Sequence, residues 1–319
     1  MNRFLACSTV MRARLLLLVL ADLLAPAPLT SPQEVAPATL QAALHEQFEA
    51  RMRQVAQRLD GVAGYAIQDL ATSESFYLNA DLVFPTASSI KLAVLLELMR
   101  QAQEGKLVLD EKHTIRRKET TVGDDEPILA MLGDGTVSMT LRDIATFMVV
   151  LSDNSATNIL IDRLGLDNIN SEIARLGLRE THLRRKMIDI EAARQGGENV
   201  STPREMMTLV EKVHAGNVLD PAHTKDYFFL LALPKDSLFH KALPSTVTIE
   251  DKPGALDAVR CDTGVIEVKG HPFAISVMTT YDATNAEGER AVREIARLAH
   301  DYFSRLAGSS AYGRVISEK

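Results

Sequence analysis

Cysteine is scarce in this sequence, which contains only Cys7 and Cys261. Cys7 lies in an N-terminal segment that we expect to be removed, which leaves Cys261 without an intrachain partner. A fold that has no disulfide must be stabilised by its hydrophobic core. A hydrophobic content of 46% over 319 residues is sufficient for one large domain or two interleaved subdomains.

The sequence also lacks an excess of positive charge and the common motifs of metal and nucleotide sites. The net charge is −7, which argues against a nucleic-acid partner because phosphate binding needs a basic face. There is no H-E-x-x-H motif, no pair of closely spaced cysteines, no G-x-S-x-G motif and no phosphate-binding glycine loop. We therefore expect no metal, no cofactor and no nucleic acid among the binding partners.

A hydrophobic run long enough to span a bilayer comfortably is missing as well. The longest apolar stretch, "LLLLVLADLLA", has 11 residues and is interrupted by Asp22. Three arginines precede it and a segment rich in proline and small residues follows, a pattern typical of a secretory signal peptide. We expect residues 1–27 to be removed, with a cleavage point as late as residue 38, and the mature protein to be a secreted or periplasmic monomer. A retained membrane anchor is the alternative.

Hydrophobic periodicity predicts the elements of the remaining chain, residues 40–319. The first and last helices are each expected to bury one apolar face: Leu44, Phe48, Met52, Val55 and Leu59 in the first, and Val292, Ile295, Leu298, Tyr302 and Leu306 in the last. Two strands follow the first helix and three precede the last, and the long middle section is mainly helical. This order predicts an α+β fold, in which an antiparallel sheet flanked by the terminal helices (about 40–86 and 231–310) lies beside an all-helical lobe (about 87–230).

The segment "TASSIKLAVLLELM" places Ser88 at the start of a helix and Lys91 three residues later on the same face. Partial burial and the positive end of the helix favour a neutral lysine amine, which is a general base for a serine within hydrogen-bond reach. The backbone N–H of Ser88 can also help to hold an oxyanion. The alternative interpretation is a helix-capping serine followed by a surface lysine.

Two further short motifs follow in order. Ser152-Asp153-Asn154 lies between two helical patterns, and Lys252-Pro253-Gly254 lies on the last residues of a predicted strand. Taken singly, the first is also compatible with a polar loop and the second with a strand that ends in a proline-glycine turn. The three motifs in this order, on a helix start, an interhelical loop and a strand, indicate a serine acyl-transfer site.

These motifs resemble the S-x-x-K, S-D-N and K-[TS]-G motifs of class A β-lactamases and penicillin-binding proteins. The resemblance covers nearly the whole chain after the signal segment and implies their β-lactamase/transpeptidase-like fold. It also implies a role for each matching position. Ser88 resembles the acylated nucleophile, Lys91 its base, Ser152 the proton shuttle, Asn154 the amide that orients substrate, Lys252 with Gly254 the carboxylate-binding strand, and Ala255 the donor of the second oxyanion N–H.

One departure from the family pattern is Pro253, which stands where the family usually has threonine or serine. The hydroxyl at that position normally helps to bind the substrate carboxylate, and proline has none. Arg260, eight residues after Lys252, is a candidate for a second cation in its place. The alternative is that Arg260 forms a surface salt bridge.

The larger departure concerns deacylation. Class A β-lactamases carry a glutamate in an E-x-x-L-N motif after S-D-N, which activates the deacylating water. Ungapped comparison puts Met187 at that position, and no E-x-x-L-N motif is present. Asp189 and Glu191 are the nearest carboxylates, and either is a candidate base if the loop is reshaped.

Three functions are compatible with these motifs. The first, which we favour, is a serine hydrolase that opens β-lactam rings through an acyl-serine intermediate. The second is a D-alanyl-D-alanine peptidase of cell-wall peptides that β-lactams acylate. The third is a non-catalytic binder of wall peptides, against which the intact Ser88, Lys91, Ser152 and Lys252 argue.

Overall fold

The computed structural model describes residues 39–121, 127–132, 135–310 and 312–315. The expected signal peptide lies outside these residues. The helices are α1 (Leu40–Arg58), α2 (Lys91–Gln103), α3 (Pro127–Leu132), α4 (Leu141–Val150), α5 (Asn154–Leu164), α6 (Leu166–Arg175), α7 (Ile190–Arg194), α8 (Pro203–His214), α9 (Pro221–Leu231), α10 (Leu238–Ala242) and α11 (Asn285–Gly308). The strands are β1 (Val62–Asp69), β2 (Ser75–Leu78), β3 (Phe84–Pro85), β4 (Lys112–Ile115), β5 (Val137–Thr140), β6 (Val200–Ser201), β7 (Ile249–Leu256), β8 (Val259–Ile266) and β9 (Phe273–Thr280). Among these helices none is both long and apolar enough to cross a membrane.

The main sheet has five strands in the order β2-β1-β9-β8-β7, and neighbouring strands are antiparallel. Strands β1 and β9 are far apart in the sequence but are paired at the centre of the sheet. This pairing joins the early and the late segments of the α/β part. The short strands β3 and β6, and β4 and β5, form separate pairs. The sequence-based prediction of an antiparallel sheet built from an early and a late group of strands is confirmed.

Alternating residues of the central strands enter two different cores. Ile67 and Val277 pack with the terminal helices α1 and α11, whereas Ala66 and Met278 pack with the helical lobe. This division follows from the geometry of a strand, in which successive side chains point to opposite faces. The sheet therefore has one face covered by the terminal helices and the other by the lobe, as predicted.

The apolar faces of the terminal helices are those that the periodicity indicated. Phe48, Met52 and Val55 of α1 are buried, and Leu44 packs at the edge of the same core. On α11 the buried set includes Ile295 and Tyr302. Phe48 stacks on Tyr302 with ring centroids 4.4 Å apart, which links the two ends of the chain directly.

The prediction for the third motif was wrong in one respect. Lys252-Pro253-Gly254 lies in the middle of β7, because the strand continues to Leu256 and β8 begins only at Val259. Pro253 is tolerated there because β7 is an edge strand, where a missing N–H need not remove a ladder hydrogen bond. The motif therefore lies on a rigid strand and not in a turn.

Candidate active site

The predicted nucleophile lies on a tight turn that leads into α2. Residues Ala87–Ile90 form a 3-10 turn, and α2 itself begins at Lys91. Ala87 has a φ of 47°, a left-handed conformation that is uncommon for alanine and that surrounding contacts must hold. The buried Ser89 donates its hydroxyl hydrogen bond to the carbonyl of Thr86 at 2.6 Å, which fixes the turn from within. Ser88 is left partly exposed beside it.

Lys91 is completely buried, so it is not the surface lysine of the alternative interpretation. Its Nζ donates to the carbonyl of Ser152 at 2.6 Å, to Ser152 Oγ at 3.2 Å and to Asn154 Oδ1 at 3.1 Å. The first and second motifs are therefore in direct contact, although 61 residues separate them in the chain. These bonds hold the amine next to the start of α2, within the same turn of chain as Ser88.

The S-D-N segment is a rigid connection between α4 and α5. Ser152 has a φ of 54°. The buried Asp153 caps α5 by accepting a hydrogen bond from the N–H of Ala156, and its other oxygen accepts one from the N–H of Ile128 in α3. Because Asp153 is held from both sides, its two neighbours, Ser152 and Asn154, present their side chains to Lys91 in a defined geometry.

Lys252 contacts the same hydroxyl as Lys91 does. Its Nζ donates to Ser152 Oγ at 3.0 Å and to the carbonyl of Pro253 at 3.1 Å. Burial lowers the pKa of Lys252 to about 8, and the nearby carboxylates of Asp251 and Asp262 counteract part of this effect. Ser152 Oγ therefore lies between the amines of Lys91 and Lys252.

Near Lys252 lies a buried group of charged side chains that we did not predict from the sequence. The side chains of Lys235 and Asp251 are fully buried and form an ion pair of 2.9 Å. Burial and the neighbouring Asp251 raise the pKa of Asp262 well above its usual range, whereas Asp251 remains ionised. Asp262 accepts hydrogen bonds from the backbone N–H groups of Leu238 and Phe239, which ties α10 to the sheet. The sequence signal was the presence of acidic residues inside two apolar strands, Asp251 in β7 and Asp262 in β8.

Gly254 is required by close packing. A Cβ atom built on it would lie 2.7 Å from the carbonyl oxygen of Thr86 and 3.0 Å from the backbone nitrogen of Ser88. Any side chain at this position would push β7 away from the turn Ala87–Ile90 that contains Ser88. The next residue, Ala255, lies beside Ser88 in the lining of the same cleft.

The cleft itself has a volume of about 270 Å³, and its lining includes Ser88, Ser152, Pro253, Gly254, Ala255 and Arg260, together with Glu289 and residues of α10. Arg260 donates from Nε to Glu289 at 3.2 Å and from Nη1 to the carbonyls of Leu256 and Val259. It is thus both part of an ion pair and part of the cleft wall. Its Nη2 group has no hydrogen-bond partner within the described residues.

Met187, which the sequence comparison predicts at the deacylation position, lies on a loop that α5 holds. Asn158 of α5 donates to the carbonyl of Met187 at 3.1 Å and accepts from its N–H at 2.8 Å. The thioether side chain is buried. Asp189 and Glu191 are exposed; Asp189 caps α7, and Glu191 faces Arg194 at 4.0 Å. Like Met187, neither of them is in the lining of the cleft, and their side chains are engaged with α7 and with Arg194.

An antiparallel sheet, a serine-lysine turn and a lysine-bearing edge strand surround one cleft, and together with the family match they define the class of protein: the serine β-lactamase and transpeptidase-like superfamily. Residues 47–303 match the model of the β-lactamase enzyme family, and the chain belongs to that family. In the described residues there is no group of three or more histidine, cysteine or acidic side chains placed to hold a metal ion.

Individual relatives are distant but cover most of the chain. The β-lactamase SME-1 of Serratia marcescens is 26% identical over 259 residues, which are 78% of this chain and 86% of that protein. An imipenem-hydrolysing β-lactamase of Enterobacter cloacae is 26% identical over 251 residues, which are 76% of this chain and 85% of that protein.

Solved structures agree with this assignment of the fold. A β-lactamase from Sphaerobacter thermophilus DSM 20745 has a TM-score of 0.72 at 27% identity and covers 79% of this chain and 95% of its own. PBP-A has a similar fold, with a TM-score of 0.73 at 24% identity over 81% of this chain and 96% of its own. A mutant of PBP-A has been solved as an acyl-enzyme complex with penicillin G.

Proposed function

We propose that this protein is a serine hydrolase that opens β-lactam rings through an acyl-enzyme on Ser88. The observation that carries the proposal is the position of Ser152 Oγ, 3.2 Å from the amine of Lys91 and 3.0 Å from that of Lys252, in the cleft that Ser88 lines. A nucleophile, a buried amine and a bridging hydroxyl are the groups that acyl transfer to serine requires.

In the proposed acylation step Lys91 starts as the neutral amine, which donates two hydrogen bonds and keeps a lone pair; Ser88 Oγ attacks the lactam carbonyl carbon and gives its proton to this amine. The carbonyl electrons move to the oxygen, which the backbone N–H groups of Ser88 and Ala255 stabilise. When the intermediate collapses, the C–N bond breaks and the ring nitrogen takes a proton from Ser152 Oγ, which Lys91 resupplies. The product is an ester on Ser88. Water then adds to this ester and releases the acid and the free serine.

The substrate carboxylate is proposed to bind the ammonium group of Lys252 and the guanidinium of Arg260. Pro253 supplies no hydroxyl for this purpose, and Arg260 Nη2 is available on the cleft wall. The ion pair with Glu289 holds Arg260 in place and leaves this edge of its guanidinium for a ligand.

We expect kcat/KM of the proposed reaction to depend on pH through the protonation of Lys252. Its pKa of about 8 means that the amine is charged below that pH and neutral above it. For an anionic β-lactam we expect kcat/KM to fall by about tenfold between about pH 7 and about pH 9.5, the value of one charge-assisted hydrogen bond. The measurement is the pH profile of kcat/KM. Lys252→Arg should flatten the profile because guanidinium stays charged, whereas a flat profile of the unmodified protein would contradict the assignment.

The residue at position 187 leads to a second prediction. A methionine cannot activate water, so we expect slow deacylation and a burst of product in the first turnover. Met187→Glu should then raise the steady-state turnover by about 10² because it supplies a positioned general base. Stopped-flow hydrolysis of a chromogenic cephalosporin measures the burst and the steady state together.

Asp189 and Glu191 provide the matched controls for this experiment. Asp189→Asn and Glu191→Gln should leave both phases unchanged, because both side chains are exposed and engaged outside the cleft. If either change abolishes turnover and keeps the burst, that residue is the base and Met187→Glu should have little effect. Fast turnover without a burst, insensitive to all three changes, would refute this account of deacylation.

A second function has a specific observation in its favour. The buried Met187 at the deacylation position also suits a D-alanyl-D-alanine peptidase that β-lactams acylate and that releases them slowly. Incubation with a chromogenic cephalosporin and with a fluorescent penicillin distinguishes the two. Turnover without persistent label supports the β-lactamase, and stoichiometric label without turnover supports the peptidase. Neither signal would indicate a non-catalytic binder of wall peptides.

We also propose that the protein acts outside the cytoplasm as a monomer. The charged start and the short apolar run of the first 27 residues support export, and a wall peptide or a β-lactam would be encountered there. Mass spectrometry of the secreted or periplasmic form would identify its first residue, and sedimentation would establish its mass.

A further inference from the structure

A second groove, of about 630 Å³, lies between the end of α8, helix α9 and the edge of the sheet formed by β7 and β8. Its lining includes His214, Lys225, Phe228, Phe229, Glu250 and Glu267. We propose that this groove binds a small organic cation, an ammonium or amidinium group attached to an aromatic ring. The proposal concerns a site separate from the serine cleft and does not depend on which reaction that cleft catalyses.

The acidic floor of the groove follows from the pairing of β7 and β8. Glu250 pairs with Val265, and the N–H of Glu267 donates to the carbonyl of Thr248 at 3.0 Å. Because side chains alternate along a strand, this register places Glu250 and Glu267 on the same face of the ribbon. Two carboxylates therefore lie next to each other at this edge of the sheet.

The side-chain carboxylate of Glu250 has no hydrogen-bond or ion-pair partner in the described part of the chain. It is partly buried, and Lys235 acts on it only as a nearby charge. Burial and the nearby Glu267 raise its pKa to about 7, against the opposing effect of Lys235. A cation in the groove would supply the missing partner and stabilise the ionised form of Glu250.

The other charged groups around the groove do not replace such a ligand. His214 lies 4.0 Å from Glu267, so it faces the more exposed of the two carboxylates. Lys225 is exposed on α9. At lower pH Glu250 keeps its proton, which opposes a bound cation. Binding should therefore strengthen as the pH rises through 7.

The apolar wall of the groove suits a ring. Phe229 has 57% of its surface exposed although it is a large apolar side chain. Beside it, Phe228 is buried and packs edge-on against the imidazole of His214, with ring centroids 5.7 Å apart. A ligand ring placed against Phe229 would cover this surface while its cationic group reaches Glu250.

Isothermal titration with benzylammonium tests the proposal on the purified full chain. We expect 1:1 binding in the millimolar range, as is usual for a ligand of this size. Affinity should increase severalfold from about pH 6 to about pH 8. Benzyl alcohol, which has the same ring but no charge, should bind at least about tenfold more weakly.

Substituted variants test whether benzylammonium binds in this groove. Glu250→Gln should weaken benzylammonium binding at least about tenfold, and Phe229→Ala about fivefold, whereas Glu46→Gln, an exposed acid on α1, should have no effect. Glu267→Gln provides a second test if Glu250→Gln lowers the melting temperature. Equal affinity for benzyl alcohol, or unchanged benzylammonium binding in both glutamine variants, would overturn the proposal.

Discussion

Replacing Ser88 with alanine should abolish acylation, with a loss in turnover of about 10⁵ or more, as is typical when the nucleophile of an acyl-enzyme mechanism is removed. No other group takes over, because the ester forms on this oxygen. Intact-protein mass spectrometry after exposure to penicillin G should show one adduct on the unmodified chain and none on Ser88→Ala. Peptide mapping should place the adduct on the segment that holds Ser88.

The neighbouring Ser89 provides a matched control. Its hydroxyl is buried and bonded to the carbonyl of Thr86, away from the cleft lining. Ser89→Ala should therefore retain the adduct and cost about 1 kcal/mol of folding free energy, the value of one hydrogen bond. An adduct that persists in Ser88→Ala, or that is lost only in Ser89→Ala, would show that the nucleophile has been misassigned.

The second large effect is expected at Lys91. Its amine bonds to Ser152 and Asn154, and it is the proposed base for Ser88. Lys91→Ala should slow acylation by about 10² to 10⁴, the usual contribution of a positioned general base. The acylation rate is measured from the time course of labelling by a fluorescent penicillin under single-turnover conditions.

Because Lys91 is fully buried, its removal also affects folding. Lys91→Met keeps most of the side-chain volume and should show the same loss in acylation rate with a smaller change in melting temperature. If either variant is folded and labels within tenfold of the unmodified rate, Lys91 has a structural role only and the base is another group.

These expectations rest on groups that short sequence patterns could identify. Ser88 and Lys91 are three residues apart on one helix start, a spacing that determines their common face before any tertiary contact forms. The same holds for the apolar faces of α1 and α11, since periodicity along a helix or strand is a local property. The antiparallel sheet followed from the order of these elements, because terminal groups of strands around a helical insert must pair with each other to bury one face.

At the proposed deacylation position, the local sequence pattern could predict which residue is present but not where the neighbouring side chains point. Ungapped comparison predicts Met187 at that position, and two hydrogen bonds with Asn158 fix its backbone against α5. The sequence could not exclude Asp189 and Glu191 as substitutes, because the direction of a loop side chain depends on how the loop packs. In the folded chain one of them caps a short helix and the other faces an exposed arginine.

The sequence by itself determined the class of fold and the residues of the three motifs, because these depend on residue type and short spacing, and it predicts a methionine in place of a glutamate at the deacylation position. Only the tertiary structure decided that Lys91 and Lys252 share the hydroxyl of Ser152. It also decided that Arg260 belongs both to the cleft and to an ion pair with Glu289. The buried ion pair of Lys235 with Asp251 is a third such contact. These contacts join residues from separate elements. Burial and long-range pairing, which alter the pKa of a side chain and direct its hydrogen bonds, arise only when the sheet and the helical lobe pack together.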